Sequence, residues 1–160
     1  MAVRSKPVAA PEKLAVTITR TFDAPRLLLW KAWTEPKHIA VWWGPRDFTN
    51  PVCEWEARPG GRILIHMCGP DGTVYPMTGT FQEVVPHERL VFMAAAEDHQ
   101  GNTLLESLTT VTFVEAGRTT TLTVHANARG IAPIAAQMLA GMEQGWNQSL
   151  EKLAGLIRKL

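Results

Sequence analysis

Along most of the chain, apolar and β-branched residues alternate with polar ones, which is the period expected of a β-strand. The first such stretch, Leu14 to Thr21, reads LAVTITRT. Further stretches follow after residue 50 and are separated by Gly, Pro and Asp turns, over 52–58, 62–68, 73–85, 89–97, 103–114 and 119–128. Short strands joined by tight turns predict an antiparallel meander.

Two short helices are predicted between the first and second strands. Asp23 lies two residues before Pro25, and an acidic cap followed by proline is a helix start signal. The first helix would run from Pro25 to Trp33. A second helix would begin after Thr34 and end near Trp43, where Gly and Pro follow.

The C-terminal region changes to the period of a helix. Apolar residues recur there every third or fourth position: Ile134, Met138, Met142, Trp146, Leu150, Leu153 and Ile157. This stripe predicts one amphipathic helix of about six turns that begins near Pro133. A sheet with one apolar face can bury that face under such a helix. We therefore expect an α+β fold in which a curved antiparallel sheet wraps around a long C-terminal helix.

The register of the second hairpin, between the strands at 52–58 and 62–68, decides which residues face inward. A three-residue turn at 59–61 pairs Trp55 with Ile65 and gathers the apolar residues on one face, namely Cys53, Trp55, Ala57, Ile63, Ile65 and Met67. A shift by one residue would put them opposite charged residues, so the apolar pattern favours the three-residue turn. We therefore expect Cys53 inside, Cys68 and His66 outside, and no disulfide.

The bulk composition narrows the class of protein. The chain has 160 residues, 46% of them hydrophobic, and a formal net charge of +1. This length fits one domain, which we expect over 13–160 after a disordered leader at 1–12. The small net charge provides no electrostatic field that would attract nucleic acid, and no stretch approaches the roughly 20 apolar residues of a membrane span.

The cysteine count indicates the compartment. Two cysteines suit a reducing compartment, so we expect a cytoplasmic protein. The oligomeric state is left open.

Residues that could carry catalysis or hold a metal are scattered along the sequence. It contains no phosphate-binding glycine motif, no Cys-x-x-Cys, no His-Glu-x-x-His and no Gly-x-Ser-x-Gly. Strand phase directs His125 to solvent and Glu106 outward, although a bulge would turn Glu106 inward. The pattern predicts no catalytic residue, no metal and no cofactor. An enzyme would need two of four side chains to converge in a cavity: Glu106, His66, His125 and Arg62.

Tryptophan, methionine and glycine occur on the faces predicted to be internal. The chain has six tryptophans and six methionines. Methionine suits adaptable pockets, and glycine removes side-chain volume. The combination favours an apolar cavity between sheet and helix, although a tightly packed core would use the same residues. The residues predicted to line the cavity are Trp43, Trp55, Ile65, Met77, Gly79, Met138, Met142 and Trp146.

Five short motifs follow one another along the chain: Phe22-Asp23-Ala24-Pro25, Trp42-Trp43-Gly44-Pro45, Arg58-Pro59-Gly60-Gly61, Gly69-Pro70-Asp71-Gly72, and Gly141-Met142 with Gly145-Trp146 and Ser149-Leu150. Together they resemble bacterial proteins similar to the activator of the 90-kilodalton heat-shock chaperone ATPase. These AHSA1-like proteins belong to the START/polyketide-cyclase-like (Bet v 1-like, SRPBCC) superfamily. The resemblance extends from about Leu14 to Leu160 and implies a helix-grip fold with an internal hydrophobic cavity.

The apolar inward residues, the missing side-chain volume and the lack of a catalytic set predict a function, which is to bind a small hydrophobic ligand, lipid-like or aromatic, in the cavity. Two alternatives stay open: a polyketide cyclase or dehydratase-like enzyme, and a stress-related module that contacts a chaperone. The chain resembles the C-terminal domain of the eukaryotic activator. The separate chaperone-binding N-terminal domain has no counterpart in this sequence, so a small ligand is the expected partner rather than a chaperone.

Overall fold

One antiparallel sheet organises the computed structural model, which describes residues 12–160. Its strands are β1 Lys13–Phe22, β2 Thr49–Trp55, β3 Arg62–Cys68, β4 Val74–Val85, β5 Arg89–Glu97, β6 Thr103–Ala116 and β7 Thr119–Gly130. They lie side by side in the order β1-β7-β6-β5-β4-β3-β2. The helices are α1 Arg26–Thr34 and α2 Pro36–Trp42 after β1, and α3 Ala135–Ala140 and α4 Met142–Ile157 after β7. The predicted α+β helix-grip fold is confirmed; the predicted leader lies outside the described residues apart from Glu12.

Alternation along the strands sorts side chains between the two faces of the sheet. The face under the helices buries the apolar residues of β6 and β7, among them Val111, Phe113, Leu122 and Val124. On the other face, His125 Nδ1 lies 2.6 Å from Thr17 Oγ1. Glu106 is on that face too, where its Oε1 accepts a hydrogen bond from Arg129 Nη2 at 2.7 Å. The predicted outward phases of His125 and Glu106 are therefore confirmed.

The β2–β3 hairpin has a different register from the predicted one. Trp55 pairs with Ile63 rather than with Ile65, because the connection spans 56–61 instead of three residues. Its glycines bond to β4 in addition: Gly60 N donates to Phe81 O at 2.9 Å, and Phe81 N donates to Gly61 O at 2.9 Å. The register has moved by two residues, so the faces are unchanged and the apolar side chains still meet.

The two cysteines are both free, and neither is fully exposed. Cys53 packs against the core, and its Sγ donates to Pro36 O at 3.6 Å. Burial raises the pKa of the Cys53 thiol to about 11. Since the thiolate is the reactive form, this thiol is protonated and unreactive at neutral pH.

Asp23 does not cap α1, contrary to the sequence signal. Pro25 occupies the N-cap position, and no side chain of the cap residue bonds to the helix. The free backbone N–H of Arg26 is instead satisfied by a distant residue, because Glu115 Oε2 accepts from it at 2.8 Å. The carboxylate at the helix N-terminus thus comes from the end of β6, which no local pattern reveals.

The predicted single C-terminal helix is two helices that meet at Gly141. The break lets α3 turn a different face to the sheet. Ile134, expected in the apolar stripe, is 46% exposed, while Ala135 and Leu139 are buried. Leu150, Leu153 and Ile157 of the predicted stripe are buried. No helix of the described residues is long and apolar enough to cross a membrane.

Aromatic rings fill the centre of the core. The largest side chains with almost no exposed surface are Trp33, Trp42, Trp55, Phe81, Phe92 and Phe113. Two of the buried indoles donate to α1 carbonyls, Trp42 Nε1 to Ala32 O at 2.9 Å and Trp55 Nε1 to Trp33 O at 2.8 Å. A second, smaller cluster lies under α3 and consists of Leu105, Ala128, Ala135 and Leu139. Space remains where these two clusters approach each other.

Candidate functional site

A cavity of about 420 Å³ lies between the sheet, the loop after α2, and helices α3 and α4. Most of its wall is apolar. The sheet contributes Met67, Tyr75, Pro76, Met77, Phe92, Ala94, Ala96, Glu97, Leu104, Leu105, Ser107 and Thr109. The loop after α2 and the two helices contribute Trp43, Gly44, Pro45, Phe48, Gln137, Met138, Gly141, Met142, Gly145, Trp146 and Ser149. This volume falls within the roughly 300–1,000 Å³ range of ligand pockets.

Five of the eight residues predicted for the cavity wall lie along it. They come from the loop after α2 and from β4, α3 and α4: Trp43, Met77, Met138, Met142 and Trp146. The indoles of Trp43 and Trp146 meet edge to face, with ring centroids 5.4 Å apart. The break at Gly141 lies between Met138 and Met142, so both methionines reach the cavity although they belong to different helices.

Trp55 and Ile65 belong to the solid core and not to the wall. Trp55 is 2% exposed, and its ring centroid lies 5.2 Å from Trp43, 5.1 Å from Phe81 and 5.2 Å from Phe92. Ile65 is completely buried in the same cluster. Their inward phase was predicted correctly. Aromatic rings from other elements then fill the space in front of them.

Gly79 also lies outside the cavity wall, for a different reason. A Cβ built on Gly79 would lie 2.1 Å from Met93 O and 3.1 Å from the Cα of Ala94. The backbone of β5 therefore occupies the space that a side chain would need. Glycine permits this close approach of two strands and adds no room for a ligand.

Small residues on β5 and β6 create the room that Gly79 does not. Ala94 and Ala96 project from β5, and Ser107 lies beside them on β6. The sequence carried a signal for these positions, since β5 ends in the small run Ala94-Ala95-Ala96 and the strand phase turns Leu105, Ser107 and Thr109 inward. The prediction missed them because it attributed the missing volume to glycine and did not consider the small side chains of alanine and serine.

Polar groups on the wall do not form an acid–base set. None of the four side chains that an enzyme would need, Glu106, His66, His125 and Arg62, lines the cavity. Glu97 is the one acidic residue that borders the cavity among residues 12–160. Its Oε2 accepts from Thr78 Oγ1 at 2.8 Å, and Thr78 pairs with Ala95 on the opposite face of the sheet. Within the same described part of the chain, no three His, Cys, Asp or Glu side chains converge as metal ligands.

Helix α4 fixes the loop that carries Trp43. Ser149 Oγ donates to Gly44 O at 2.8 Å. Lys152 Nζ donates to three carbonyl oxygens of the loop, those of Trp43, Pro45 and Phe48, at 3.3, 3.1 and 3.3 Å. Burial lowers the pKa of the Lys152 ammonium, and the nearby Asp47 carboxylate opposes that shift. This half-buried lysine thus holds one wall of the cavity in place.

We expect Lys152→Met to loosen this wall. Methionine keeps the apolar stem but leaves three carbonyl oxygens without their donor, so the free energy of unfolding should fall by about 1–2 kcal/mol. Hydrogen exchange should also accelerate at the amides of 44–49. Lys37→Met is the control, because the Lys37 side chain is 74% exposed. If exchange in 44–49 is the same in both variants, Lys152 does not fix the loop.

The family profile described as Activator of Hsp90 ATPase homolog 1-like protein matches residues 23–158. The chain belongs to this family. The AHSA1-like match begins at Asp23, just before α1, and ends at Arg158, just after α4, so it includes every element that lines the cavity. The fold is consistent with the wider SRPBCC, Bet v 1-like superfamily. No curated protein matches the chain.

Solved structures from several bacteria share the AHSA1-like fold. A protein from Mycobacterium smegmatis is 27% identical, with a TM-score of 0.73 over 89% of this chain and 90% of that one. A protein from Chromobacterium violaceum is 25% identical, with a TM-score of 0.74 over 89% of this chain and 96% of that one. The AHSA1 protein from Silicibacter pomeroyi is 21% identical, with a TM-score of 0.78 over 91% of this chain and 98% of that one. At this identity the similarity concerns the fold alone.

Proposed function

We propose that this AHSA1-like protein binds a small hydrophobic ligand, lipid-like or aromatic, in the cavity between its sheet and its C-terminal helices. The observation that supports the proposal is the mostly apolar cavity of about 420 Å³. Apolar surface buried on binding supplies the main driving force. Met77, Met138 and Met142 add flexible, polarizable contacts that adapt to irregular ligands. A cytoplasmic location remains part of the proposal.

The two alternative functions receive less support from the site. A cyclase or dehydratase needs an acid or base aimed at the substrate, and the side chains considered for that role lie off the wall. The family description refers to activation of the Hsp90 ATPase. A pull-down with the purified bacterial chaperone would test that role for this chain, and a negative result under gentle conditions would end it.

Ligand binding is best tested with a neutral, apolar fluorescent probe such as N-phenyl-1-naphthylamine. Trp43 and Trp146 line the cavity, so bound probe should quench tryptophan emission. Native mass spectrometry of the gently purified protein would detect any co-purified ligand. We expect saturable binding of about one probe per chain.

We expect Ala94→Leu to block the cavity. Ala94 is 5% exposed and lies on the wall, so the larger side chain would fill space that a ligand needs. Probe affinity should fall at least about tenfold, which corresponds to about 1.4 kcal/mol. The folded state should survive, because the added groups enter an existing cavity.

The matched control for this test is Ala95→Leu. Ala95 is the next residue of β5 and pairs with Glu106 and Thr78, so it points to the opposite face of the sheet. Thermal melts would confirm that both variants fold. Equal probe affinity in Ala94→Leu and the unmodified protein would show that the probe binds elsewhere.

A further inference from the structure

Among residues 12–160, no positively charged side chain lies on the wall of the cavity. No lysine, arginine or histidine of the described part of the chain lines it. Glu97 is its one charged residue, and it lies after an irregularity in the pairing of β5 with β6. Its carboxylate accepts from Thr78 Oγ1 at 2.8 Å, and Thr78 pairs with Ala95 on the opposite face of the sheet, so the carboxylate points away from the cavity.

Two cations beside the loop after α2 have other partners. Lys152 donates to three loop carbonyls behind Trp43. Arg46 Nη2 lies 3.1 Å from Glu151 Oε2 on the surface of α4. Neither residue lines the cavity. A ligand carboxylate inside the cavity would therefore find no counterion on the wall that residues 12–160 form.

Neutral hydrogen-bonding groups are present on the wall instead. Ser107 and Thr109 lie on the inward phase of β6, and Thr109 is 1% exposed. The phenol of Tyr75 and the amide of Gln137 border other parts of the cavity. Such groups can bond to a hydroxyl or carbonyl of a ligand, but they cannot balance the cost of removing a full charge from water.

We propose that the cavity selects uncharged ligands, which are apolar molecules with a hydroxyl, ester or carbonyl group, and rejects carboxylates of the fatty-acid type and alkyl cations. This inference rests on the proposed function and specifies the ligand class for the same site. A buried ion without a partner is strongly disfavoured, whereas a buried neutral polar group needs one hydrogen bond.

A matched series of compounds with an unbranched ten-carbon chain tests the selection. Decanol, methyl decanoate, decanoate and decylamine share one hydrocarbon chain and differ in charge. Each compound would be titrated against bound N-phenyl-1-naphthylamine at neutral pH, and its displacement of the probe measured. The concentration of each compound would stay below its solubility limit and its critical micelle concentration. We expect the alcohol and the ester to bind at least about tenfold more tightly than either ion, because an unpaired buried charge costs 1.4 kcal/mol or more.

A charge introduced into the wall provides the second measurement. Ala96 lies on the wall and is partly exposed, so Ala96→Lys can place an ammonium beside the ligand while the fold is kept. Decanoate should bind at least about tenfold more tightly to Ala96→Lys than to the uncharged control Ala96→Gln, and decanol should bind both alike.

The outcomes separate this inference from the proposed function. If decanoate displaces the probe from the unmodified protein as well as decanol does, charge selection is overturned while ligand binding stands. If the probe itself does not bind, the proposed function fails and the inference fails with it. Tighter binding of decylamine than of decanol would also overturn the inference, because Glu97 would then act as a counterion.

Discussion

Replacing Trp55 by alanine should lower the free energy of unfolding by about 3–5 kcal/mol. Trp55 is 2% exposed and contacts Trp43, Phe81 and Phe92, so its removal leaves a large cavity in the core. The carbonyl of Trp33 also loses the indole donor at 2.8 Å. Domains are typically stable by only about 5–15 kcal/mol, so this loss would approach unfolding.

Urea unfolding followed by far-UV circular dichroism would measure the change. Val52→Ala is the control, since Val52 lies on the same strand and is 37% exposed. We expect Val52→Ala to change stability by less than about 1 kcal/mol. A loss for Trp55→Ala no larger than that of the control would mean that the indole is not part of the closed core.

Gly79→Ala should lower the free energy of unfolding by about 2–4 kcal/mol. The new Cβ would lie 2.1 Å from Met93 O, and both groups are held in neighbouring strands. The contacted atom is a backbone oxygen, so the backbone of β4 or β5 has to move to relieve the overlap. The pairing of β4 with β5 would then separate locally.

The matched control is Gly155→Ala in α4. A Cβ at Gly155 meets no atom within 4 Å, and alanine favours a helix over glycine by about 0.5–1 kcal/mol. Thermal melts should therefore move in opposite directions for the two variants. An unchanged melting temperature for Gly79→Ala would show that β4 and β5 can separate at little cost at this point.

Local patterns predicted strands and faces well because a strand's phase depends on residues two positions apart. The alternation in β6 and β7 placed Glu106 and His125 outward, as observed. The same reasoning kept the faces of the β2–β3 hairpin correct although its register was wrong. A shift by two residues leaves the phase unchanged and is therefore invisible to an apolar pattern.

The cavity wall was harder to predict because it depends on which elements meet. Trp43 and Trp55 both face inward, but one lines the cavity and the other lies behind it. Which of the two borders the cavity depends on rings that come from other parts of the chain, such as Phe92, which packs against both. The helix break at Gly141 was missed for a related reason. Its effect appears only when α3 packs Ala135 and Leu139 into one cluster and α4 packs Leu150 and Leu153 into the other.

Within residues 12–160, the strand order leaves β1 and β2 as the edges of the sheet, which affects how the protein avoids aggregation. Free edges can recruit strands from other chains, and proline, charge and irregular pairing oppose that growth. Pro51 lies in β2, where it has no N–H to offer, and the pairing with β3 shifts between Thr49 and Val52. Lys13 and Arg20 place positive charge along β1. An open sheet that covers a cavity is thereby a poor template for edge-to-edge polymerisation.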